Sequence, residues 1–278
     1  MAQSTSLARA LGSKRIGLIG TGTMGQALIK GLLANGTPRR ALHAADPSAR
    51  TRRDVRRRFH LALTADNVRV VRRSDIVILA VKPQQFPDVI AQIAPHVSRR
   101  QLVISIAAGI RLPWLASWLP GVPLVRVMPN LPATVGCGYS AIALGRAATA
   151  RHRAIAKALF GAVGEVVELP ERQFDAVTAV SGSGPAYVFF LVEAWEQAAR
   201  RLGLPASVAR RAVARTLEGS VRLLRATDAP ASALIRKVAS KGGTTEAALN
   251  VLAARHVARH VADAVRAAAR RSRALSCS

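Results

Sequence analysis

The sequence predicts an α/β protein in which an amino-terminal, doubly wound parallel sheet is followed by an all-helical domain. Short apolar runs alternate with helical stretches through the first part of the chain, and the pattern becomes wholly helical near Pro170. Half of the 278 residues are apolar but only 4% are aromatic, so the core must consist mainly of aliphatic side chains. We therefore predict two domains, at residues 1–169 and 170–278.

Six apolar runs are predicted to be strands. None alternates polar and apolar residues, which is typical of parallel strands that are covered on both faces of a sheet. They are residues 15–19, 41–45, 75–81, 102–107, 124–127 and 165–169. Helical stretches separate them, such as residues 27–35, which end at Asn35-Gly36, and the very basic residues 48–59.

The second domain is predicted to contain helices only. Proline falls at a first-turn position three times, at Pro185, Pro205 and Pro230, where it is tolerated. The predicted helices are residues 174–180, 186–202, 207–226, 231–239 and 244–275, the last with a break near Arg255. Because long alanine-rich helices need a surface to pack against, we expect this domain to form a homodimer.

Residues 20–25, Gly-Thr-Gly-Thr-Met-Gly, fit the G-x-G-x-x-G pattern between a strand and a helix, the setting in which it indicates dinucleotide binding. Gly20 permits the tight turn, Gly22 lets the backbone approach a pyrophosphate, and Gly25 lets the helix pack on the sheet. The first domain is therefore predicted to be a Rossmann-like dinucleotide-binding domain.

The residues after the second strand give conflicting signals on the cofactor. Asp46 follows the motif by about 20 residues, where an acid commonly bonds the ribose 2′-hydroxyl of NAD. Ser48, Arg50, Arg52 and Arg53 come next and could hold the 2′-phosphate of NADP instead. Asp46 could also be the cap of the following helix.

Lys82 lies at the carboxyl end of a predicted strand, the edge at which this fold binds its ligands. A solvated loop lysine is the alternative. Asn67 and the turn at residues 107–109 occupy comparable edges.

Two segments rich in small residues stand in the second half of the chain, at residues 181–187 and 240–245. Each places glycine and hydroxyl residues ahead of a helical run, where unpaired N–H groups favour a carboxylate or phosphate. The sequence thus predicts two anion-accepting turns, although the threonines could also serve as ordinary helix caps.

The composition argues against several other kinds of protein. The net charge of +26 is almost wholly arginine, which is scattered and not interleaved with stacking aromatics as in a single-strand binder. Cys137 and Cys277 form no metal-binding pattern with the dispersed histidines. No uncharged apolar run approaches ~20 residues. We expect a cytoplasmic protein without a metal, a membrane span or a nucleic-acid partner.

The chain from Arg15 to Leu275 resembles pyrroline-5-carboxylate reductase. The resemblance is carried by residues 80–83, 105–109, 127–130, 175–187 and 242–245. It implies reduction of 1-pyrroline-5-carboxylate to L-proline by NADPH or NADH, with NADPH preferred, as the last step of proline biosynthesis. It also implies a helical domain that interlocks into homodimers, often assembled into decamers, with the partner subunit completing the site.

The same resemblance implies roles for individual residues. The catalytic residue would be Thr245, hydrogen-bonded to the imine nitrogen, and the substrate would be bound by Ser240, Gly243, Thr244 and Thr245. The cofactor would be bound by Ile19, Gly20, Thr21, Gly22, Thr23, Met24, Asp46, Asn67, Ala80, Val81, Lys82, Pro83, Ile106, Ala107 and Ala108.

Three residues depart from the family pattern, and two rival functions follow from the sequence. Lys241 replaces the usual proline before the paired glycines, Leu131 replaces a threonine, and Lys237 replaces a neutral polar residue. One rival is an NAD(P)-dependent dehydrogenase of the β-hydroxyacid type, which shares the glycine turn but needs a catalytic lysine and a different substrate loop. The other is a non-catalytic paralogue that binds a dinucleotide or nucleic acid.

Overall fold

The computed structural model describes residues 2–275, which form two compact units. The first unit comprises the chain up to residue 183 together with the residues from 268 onward, and the second comprises residues 184–267. The predicted boundary at 169/170 follows the end of the sheet. The boundary between the two compact units lies further along the chain, after residue 183. This is because Phe174 is buried in the first unit, and because the Ser272 hydroxyl donates a hydrogen bond to Asp175 at 2.8 Å.

A seven-stranded sheet forms the centre of the first unit, with the strand order β2-β1-β3-β4-β5-β6-β7. The reversal of order at β1 and β3 is that of a doubly wound sheet. The strands are β1 (Ile16–Ile19), β2 (Leu42–Ala45), β3 (Ile76–Leu79), β4 (Leu102–Ser105), β5 (Leu124–Met128), β6 (Gly138–Leu144) and β7 (Gly164–Glu168). The six predicted strands are all present within one or two residues at each end.

Strand β6 was not predicted, and it adds one antiparallel pair to the predicted doubly wound parallel sheet. It runs antiparallel to β5 and parallel to β7. The segment begins with glycine and contains two alanines, which are depleted in strands, so it does not stand out as an apolar run. A Cβ at Gly138 would lie 2.8 Å from the carbonyl oxygen of Val163, so the start of β6 has room only for glycine.

The two faces of the sheet are buried in separate apolar clusters. Side chains alternate along each strand, so that Ile76 and Ile78 belong to one cluster, while Val77 and Leu79 belong to the other. Helices of the first unit cover both faces. They are α1 (Ala2–Leu11), α2 (Thr23–Ala34), α3 (Ala49–Phe59), α4 (Asn67–Arg72), α5 (Phe86–Ile93), α6 (Leu112–Trp118), α7 (Ala150–Gly161) and α8 (Phe174–Val177). Helix α1 was not predicted; it packs against α7.

The remainder of the described chain is helical, as predicted. The helices are α9 (Gly184–Arg201), α10 (Ala206–Thr227), α11 (Ala231–Val238), α12 (Thr244–Ala254) and α13 (Val257–Leu275). The break expected near Arg255 is confirmed, because His256 adopts a left-handed conformation with φ of 51°. One helical stretch of the described chain, residues 171–201, is long and apolar enough by length and composition to cross a membrane.

Candidate cofactor and substrate sites

The glycine turn between β1 and α2 is held tightly by the neighbouring strand. Gly20 has a φ of +88°, and a Cβ at this position would lie 2.7 Å from the carbonyl oxygen of Ala80. A Cβ at Gly25 would lie 2.5 Å from the carbonyl oxygen of Gly20. Both positions therefore need glycine, one for the turn and one for the packing of the helix.

Gly22 differs from these two glycines because open space lies in front of it. It is the N-cap of α2 and provides no side-chain cap, and a Cβ there would meet no atom within 4 Å. The first amides of a helix lack partners within the helix and carry a partial positive charge. The turn thus offers N–H donors and room for a pyrophosphate, which fits the predicted role of residues 19–24.

Asp46, at the end of β2, is nearly buried and both of its carboxylate oxygens are occupied. Oδ2 accepts hydrogen bonds from the backbone N–H of Thr21 at 2.9 Å and from its hydroxyl at 3.0 Å. Oδ1 accepts from the backbone N–H of Ser48 at 3.0 Å. The cap of α3 is the Ser48 hydroxyl and not Asp46, so the capping interpretation of Asp46 is wrong. Asp46 instead fixes the glycine turn against the end of β2.

Arg52 places a guanidinium group at the same strand end. Its Nη1 donates hydrogen bonds of 2.8 Å to the carbonyl oxygens of Asp46 and Pro47. A guanidinium has five N–H donors, so this arrangement leaves others to bind an anion. Arg50 and Arg53, on the same helix, are exposed.

The ends of β3 and β4 complete this edge of the sheet. The backbone N–H of Ala80 donates to the carbonyl oxygen of Ile19 at 2.8 Å, and that of Ile106 donates to Leu79 at 3.1 Å. Segment 80–83 therefore begins beside the glycine turn, and segment 106–108 begins beside the end of β3 at the same edge of the sheet. Lys82 caps the short helical turn Pro83–Gln85 through its backbone. Asn67 begins α4, and its side chain donates to Gln92 Oε1 at 2.9 Å, so its amide is bonded to α5.

Residues 181–187 do not form the anion-accepting turn that was predicted. The chain passes from α8 through a π-helical turn, Thr178–Gly182, into α9, and the N–H of Ser183 donates to the carbonyl oxygen of Thr178 at 2.8 Å. An N–H group used in this way is not available to a ligand. The cluster of glycine and serine accommodates a π-bulge, a feature that is frequent at functional sites.

Asn130 connects this π-helical turn to the sheet, a role that the sequence did not reveal. Its Nδ2 donates to the Ser181 hydroxyl at 3.0 Å and to the Ser181 carbonyl at 3.2 Å, while its Oδ1 accepts from the N–H of Tyr139 at 2.8 Å. Met128 contributes packing, because a Cβ at Gly182 would lie 2.7 Å from its terminal methyl. The only signal in the sequence was the Met-Pro-Asn motif itself.

The second small-residue segment does end at a helix N-terminus, as predicted. Helix α12 begins at Thr244 with Gly243 as its N-cap, and Gly242 has a φ of +72°. The N–H of Gly243 donates to the carbonyl oxygen of Ser240 at 3.0 Å, closing the loop. A Cβ at Gly243 would lie 2.4 Å from the Ser240 hydroxyl, so glycine is needed for this close approach.

A carboxylate of the chain itself already occupies one amide of this loop. Glu246 Oε2 accepts a hydrogen bond of 2.6 Å from the N–H of Gly242. Ala247 is bonded within the helix, to the carbonyl oxygen of Gly243. The intervening N–H groups of Thr244, Thr245 and Glu246 are the first-turn donors of α12, which have no acceptor within an α-helix. The loop can therefore bind an anionic group through these amides.

Thr245 also faces apolar surroundings within the second unit. It lines a groove of about 390 Å³ together with side chains of α10 and α11, among them Leu224 and Val238. Among the described residues, no group of three or more histidines, cysteines and acidic residues could hold a metal ion. The three departures lie on exposed side chains: Lys241 is within the loop, Lys237 precedes it at the end of α11, and Leu131 begins the short helical turn after β5.

Comparisons with known proteins agree with this geometry. The family model described as "Pyrroline-5-carboxylate reductase dimerisation" matches residues 171–275, and the model "NADP oxidoreductase coenzyme F420-dependent" matches residues 15–109. The pyrroline-5-carboxylate reductase of Synechocystis sp. is 39% identical over 95% of this chain and 98% of its own.

Solved structures give the same result. A pyrroline-5-carboxylate reductase from Coxiella burnetii superimposes with a TM-score of 0.87 and 32% identity, covering 95% of this chain and 99% of the other. The Plasmodium falciparum pyrroline carboxylate reductase with NADP bound has a TM-score of 0.87 and 30% identity, covering 95% of this chain and 98% of the other.

Proposed function

The chain belongs to the pyrroline-5-carboxylate reductase family, and on that basis we propose how its own residues bind the cofactor and the substrate. The enzyme reduces 1-pyrroline-5-carboxylate to L-proline, the last step of proline biosynthesis. NADPH is the preferred hydride donor, and NADH is an alternative.

The observation that carries the assignment of the substrate site is the loop at residues 240–245. The substrate is a cyclic imine with a carboxylate, and the loop places amide donors at the start of an eleven-residue helix. We assign the substrate carboxylate to the N–H groups of Thr244 and Thr245. Ser240 and Gly243 support them, because the Gly243 N–H closes the loop onto Ser240.

Thr245 is proposed as the catalytic residue. A protonated imine is already electrophilic, so the protein has mainly to position it and to exchange its proton. The Thr245 hydroxyl can donate a hydrogen bond to the imine nitrogen and accept one from its protonated form. This assignment is consistent with a site that offers hydroxyl and amide groups and needs no buried acid or base.

The cofactor is assigned to the edge formed by the ends of β1 to β4. The open space before Gly22 suits the pyrophosphate. Both carboxylate oxygens of Asp46 are already bonded, to Thr21 and Ser48, so we assign this strand end to Arg52 and a 2′-phosphate and not to Asp46 and a ribose 2′-hydroxyl. Residues 80–83 and 106–108 would border the rest of the cofactor. When bound, NADPH supplies the hydride that adds to the imine carbon. Asn67 and Lys82 are assigned to the margin of this site.

The protein forms a homo-oligomer through its dimerisation domain. We propose a dimer as the basic unit, with further assembly up to a decamer, and assign the exposed apolar side chains of α9 to the dimer contact. This accounts for the apolar stretch 171–201 without a membrane. The scattered arginines are assigned to solvated surfaces, and the location is proposed to be cytoplasmic, without a nucleic-acid partner.

Steady-state kinetics test these assignments. With 1-pyrroline-5-carboxylate present, the purified protein should oxidise NADPH, and Thr245→Val should lower kcat by about 100-fold or more through loss of the hydroxyl. Thr245→Ser, which keeps the hydroxyl, should restore most of the rate. A Thr245→Val enzyme with wild-type kinetics would defeat the catalytic assignment, and NADPH binding without any turnover would instead favour the non-catalytic alternative.

A further inference from the structure

A glutamine near the start of α2 is bonded to the backbone of the glycine turn. Gln26 Nε2 donates a hydrogen bond of 3.0 Å to the carbonyl oxygen of Thr21. The backbone N–H and the hydroxyl of Thr21 are both bonded to Asp46. Side chains from α2 and from the end of β2 therefore occupy every polar group of Thr21, the residue that precedes Gly22.

The bond to Thr21 also sets the direction of the next amide group. Across a trans peptide, the C=O of one residue and the N–H of the following residue point in opposite directions, and the described chain has no cis peptide bond. Because the Thr21 carbonyl is directed at Gln26, the Gly22 N–H is directed to the other side. Gly22 is exposed, and its N–H has no acceptor within residues 2–275. Gln26 thus orients a free donor of the turn to which the pyrophosphate is assigned.

Arg58, on α3, fixes the orientation of the Gln26 amide. Its Nη1 donates a hydrogen bond of 2.7 Å to Gln26 Oε1. A guanidinium can only donate and a backbone carbonyl can only accept, so the amide oxygen faces Arg58 and the amide nitrogen faces Thr21. The guanidinium carbon of Arg58 also lies 5.3 Å from the centre of the Phe59 ring, which is buried. Three side chains thus connect the core to the glycine turn.

We propose that Gln26, held by Arg58, is a positioning residue for the pyrophosphate of the cofactor. The inference rests on the proposed function, in which NADPH or NADH binds at the glycine turn. Gln26 acts through the backbone, because it fixes the plane of the peptide between Thr21 and Gly22 before the cofactor binds. Donors that are already oriented lose less conformational entropy on binding. Since the pyrophosphate is common to both cofactors, Gln26 should affect NADPH and NADH alike, in contrast to Arg52.

The test is calorimetric titration of the full-length protein with NADPH, with NADH and with adenosine 2′-monophosphate, which lacks the pyrophosphate. Gln26→Met keeps the length of the side chain but cannot donate to Thr21, so it should raise the dissociation constants of both dinucleotides by about tenfold. The affinity for adenosine 2′-monophosphate and the kcat at saturating NADPH should not change.

Gln26→Glu separates this role from simple packing of α2 on α3. A carboxylate still accepts from Arg58, so the link between the two helices and the melting temperature should be kept. It offers no donor to Thr21, so both dinucleotides should bind about tenfold or more weakly. If Gln26 served only to join the helices, Gln26→Glu would bind both dinucleotides as the wild type does.

Arg58 should act through Gln26 and not by its charge alone. Arg58→Met should raise the dissociation constant of NADPH by about threefold in the wild type, and should add nothing further in the Gln26→Met background. The matched control is Arg57→Met, which removes a neighbouring charge that lies 3.6 Å from Asp54. It should change the dissociation constant less than Arg58→Met does.

Unchanged dinucleotide affinity in Gln26→Met would overturn the proposal. An equal loss of affinity for adenosine 2′-monophosphate would also overturn it, because the whole site would then be distorted. Additive effects of Arg58→Met and Gln26→Met would refute the part assigned to Arg58. A wild-type protein that binds neither dinucleotide would instead refute the proposed function on which the inference rests.

Discussion

The glycine turn of the first unit and the threonine loop of the second are both small-residue turns before a helix, but their surroundings differ. At the glycine turn Thr21 is fully buried, Asp46 is 8% exposed, and the strand behind it lies in the core. Around the loop at residues 240–245 every residue is exposed or only partly buried. In the whole described second unit, only Ala209 and Val213 are buried.

This contrast indicates where each turn gets its rigidity. The first is held within one chain by hydrogen bonds and by packing against β3. The second belongs to a helical unit that exposes Phe189, Phe190, Leu191 and Trp195 and so has little core of its own. An apolar surface of this extent marks an interaction site. We infer that the cofactor turn is formed by a single chain, whereas the substrate loop depends on dimerisation for its order.

Replacing one glycine in each turn by alanine would show the largest difference. Gly20→Ala adds a Cβ at 2.7 Å from Ala80 O with φ at +88°, and should destabilise the first unit by about 3 kcal/mol and abolish NADPH binding. Gly242→Ala has a similar φ of +72° but no atom near its Cβ, so strain alone should cost about 1 kcal/mol. Chemical denaturation measures the loss of stability in each variant, and titration with NADPH measures the loss of cofactor binding. Equal losses of stability in the two variants would contradict the difference in packing between the two turns.

The dependence of the second unit on a partner chain can be tested at Phe190, which is 69% exposed. Phe190→Glu should raise the dissociation constant of the dimer by about 100-fold or more, because it puts a charge into an apolar interface. Activity should then fall on dilution while NADPH still binds. Trp118→Glu changes an exposed aromatic residue of the first unit and should leave the dimer intact. Analytical ultracentrifugation distinguishes the two, and a dimeric Phe190→Glu protein would refute the inference.

The same contrast decides how much the sequence could predict. Six strands, the glycine turn and the helical second half follow from local apolar patterns and glycine spacing. Strand β6 and helix α1 do not, because alanine, glycine and serine give them little pattern and their packing is decided by distant partners such as Val163 and α7. The bonds from Asn130 to Ser181 and from Gly242 to Glu246 also depend on tertiary placement. The π-helical turn was mistaken for a helix start for the same reason.

A smaller effect is expected at Arg52, which lies beside the glycine turn and is assigned to the 2′-phosphate of NADPH. Arg52→Gln should raise the KM for NADPH by about tenfold, through loss of one charge-assisted hydrogen bond to the 2′-phosphate, and should change the KM for NADH little. Arg57→Gln on the same helix, where Arg57 lies 3.6 Å from Asp54, is the matched control. If Arg52→Gln raised the KM for NADPH and the KM for NADH equally, Arg52 would stabilise the end of β2 and would not bind the 2′-phosphate.

The smallest effect concerns the stability of the first unit by itself. His152 Nδ1 accepts a hydrogen bond of 3.1 Å from the N–H of Thr149 and so caps α7, which requires an unprotonated nitrogen. Burial first, and then Lys14 and Arg151, lower the pKa of His152 below its ordinary value of 6.5. The unfolded chain therefore takes up this proton before the folded one, so the contribution is complete above pH 6.5 and is lost as the pH falls from there towards the folded pKa.

Replacing His152 with glutamine, which is neutral at every pH, isolates this contribution. The melting temperature of the wild type should fall relative to that of His152→Gln between pH 7.5 and pH 5, by a few degrees at most because the side chain is only partly buried. Since Thr149, His152 and both cations lie in the first unit, the shift should be independent of protein concentration, unlike that of Phe190→Glu. A shift that depends on concentration would mean that α7 also depends on the dimer, and the contrast between the two regions would then fail.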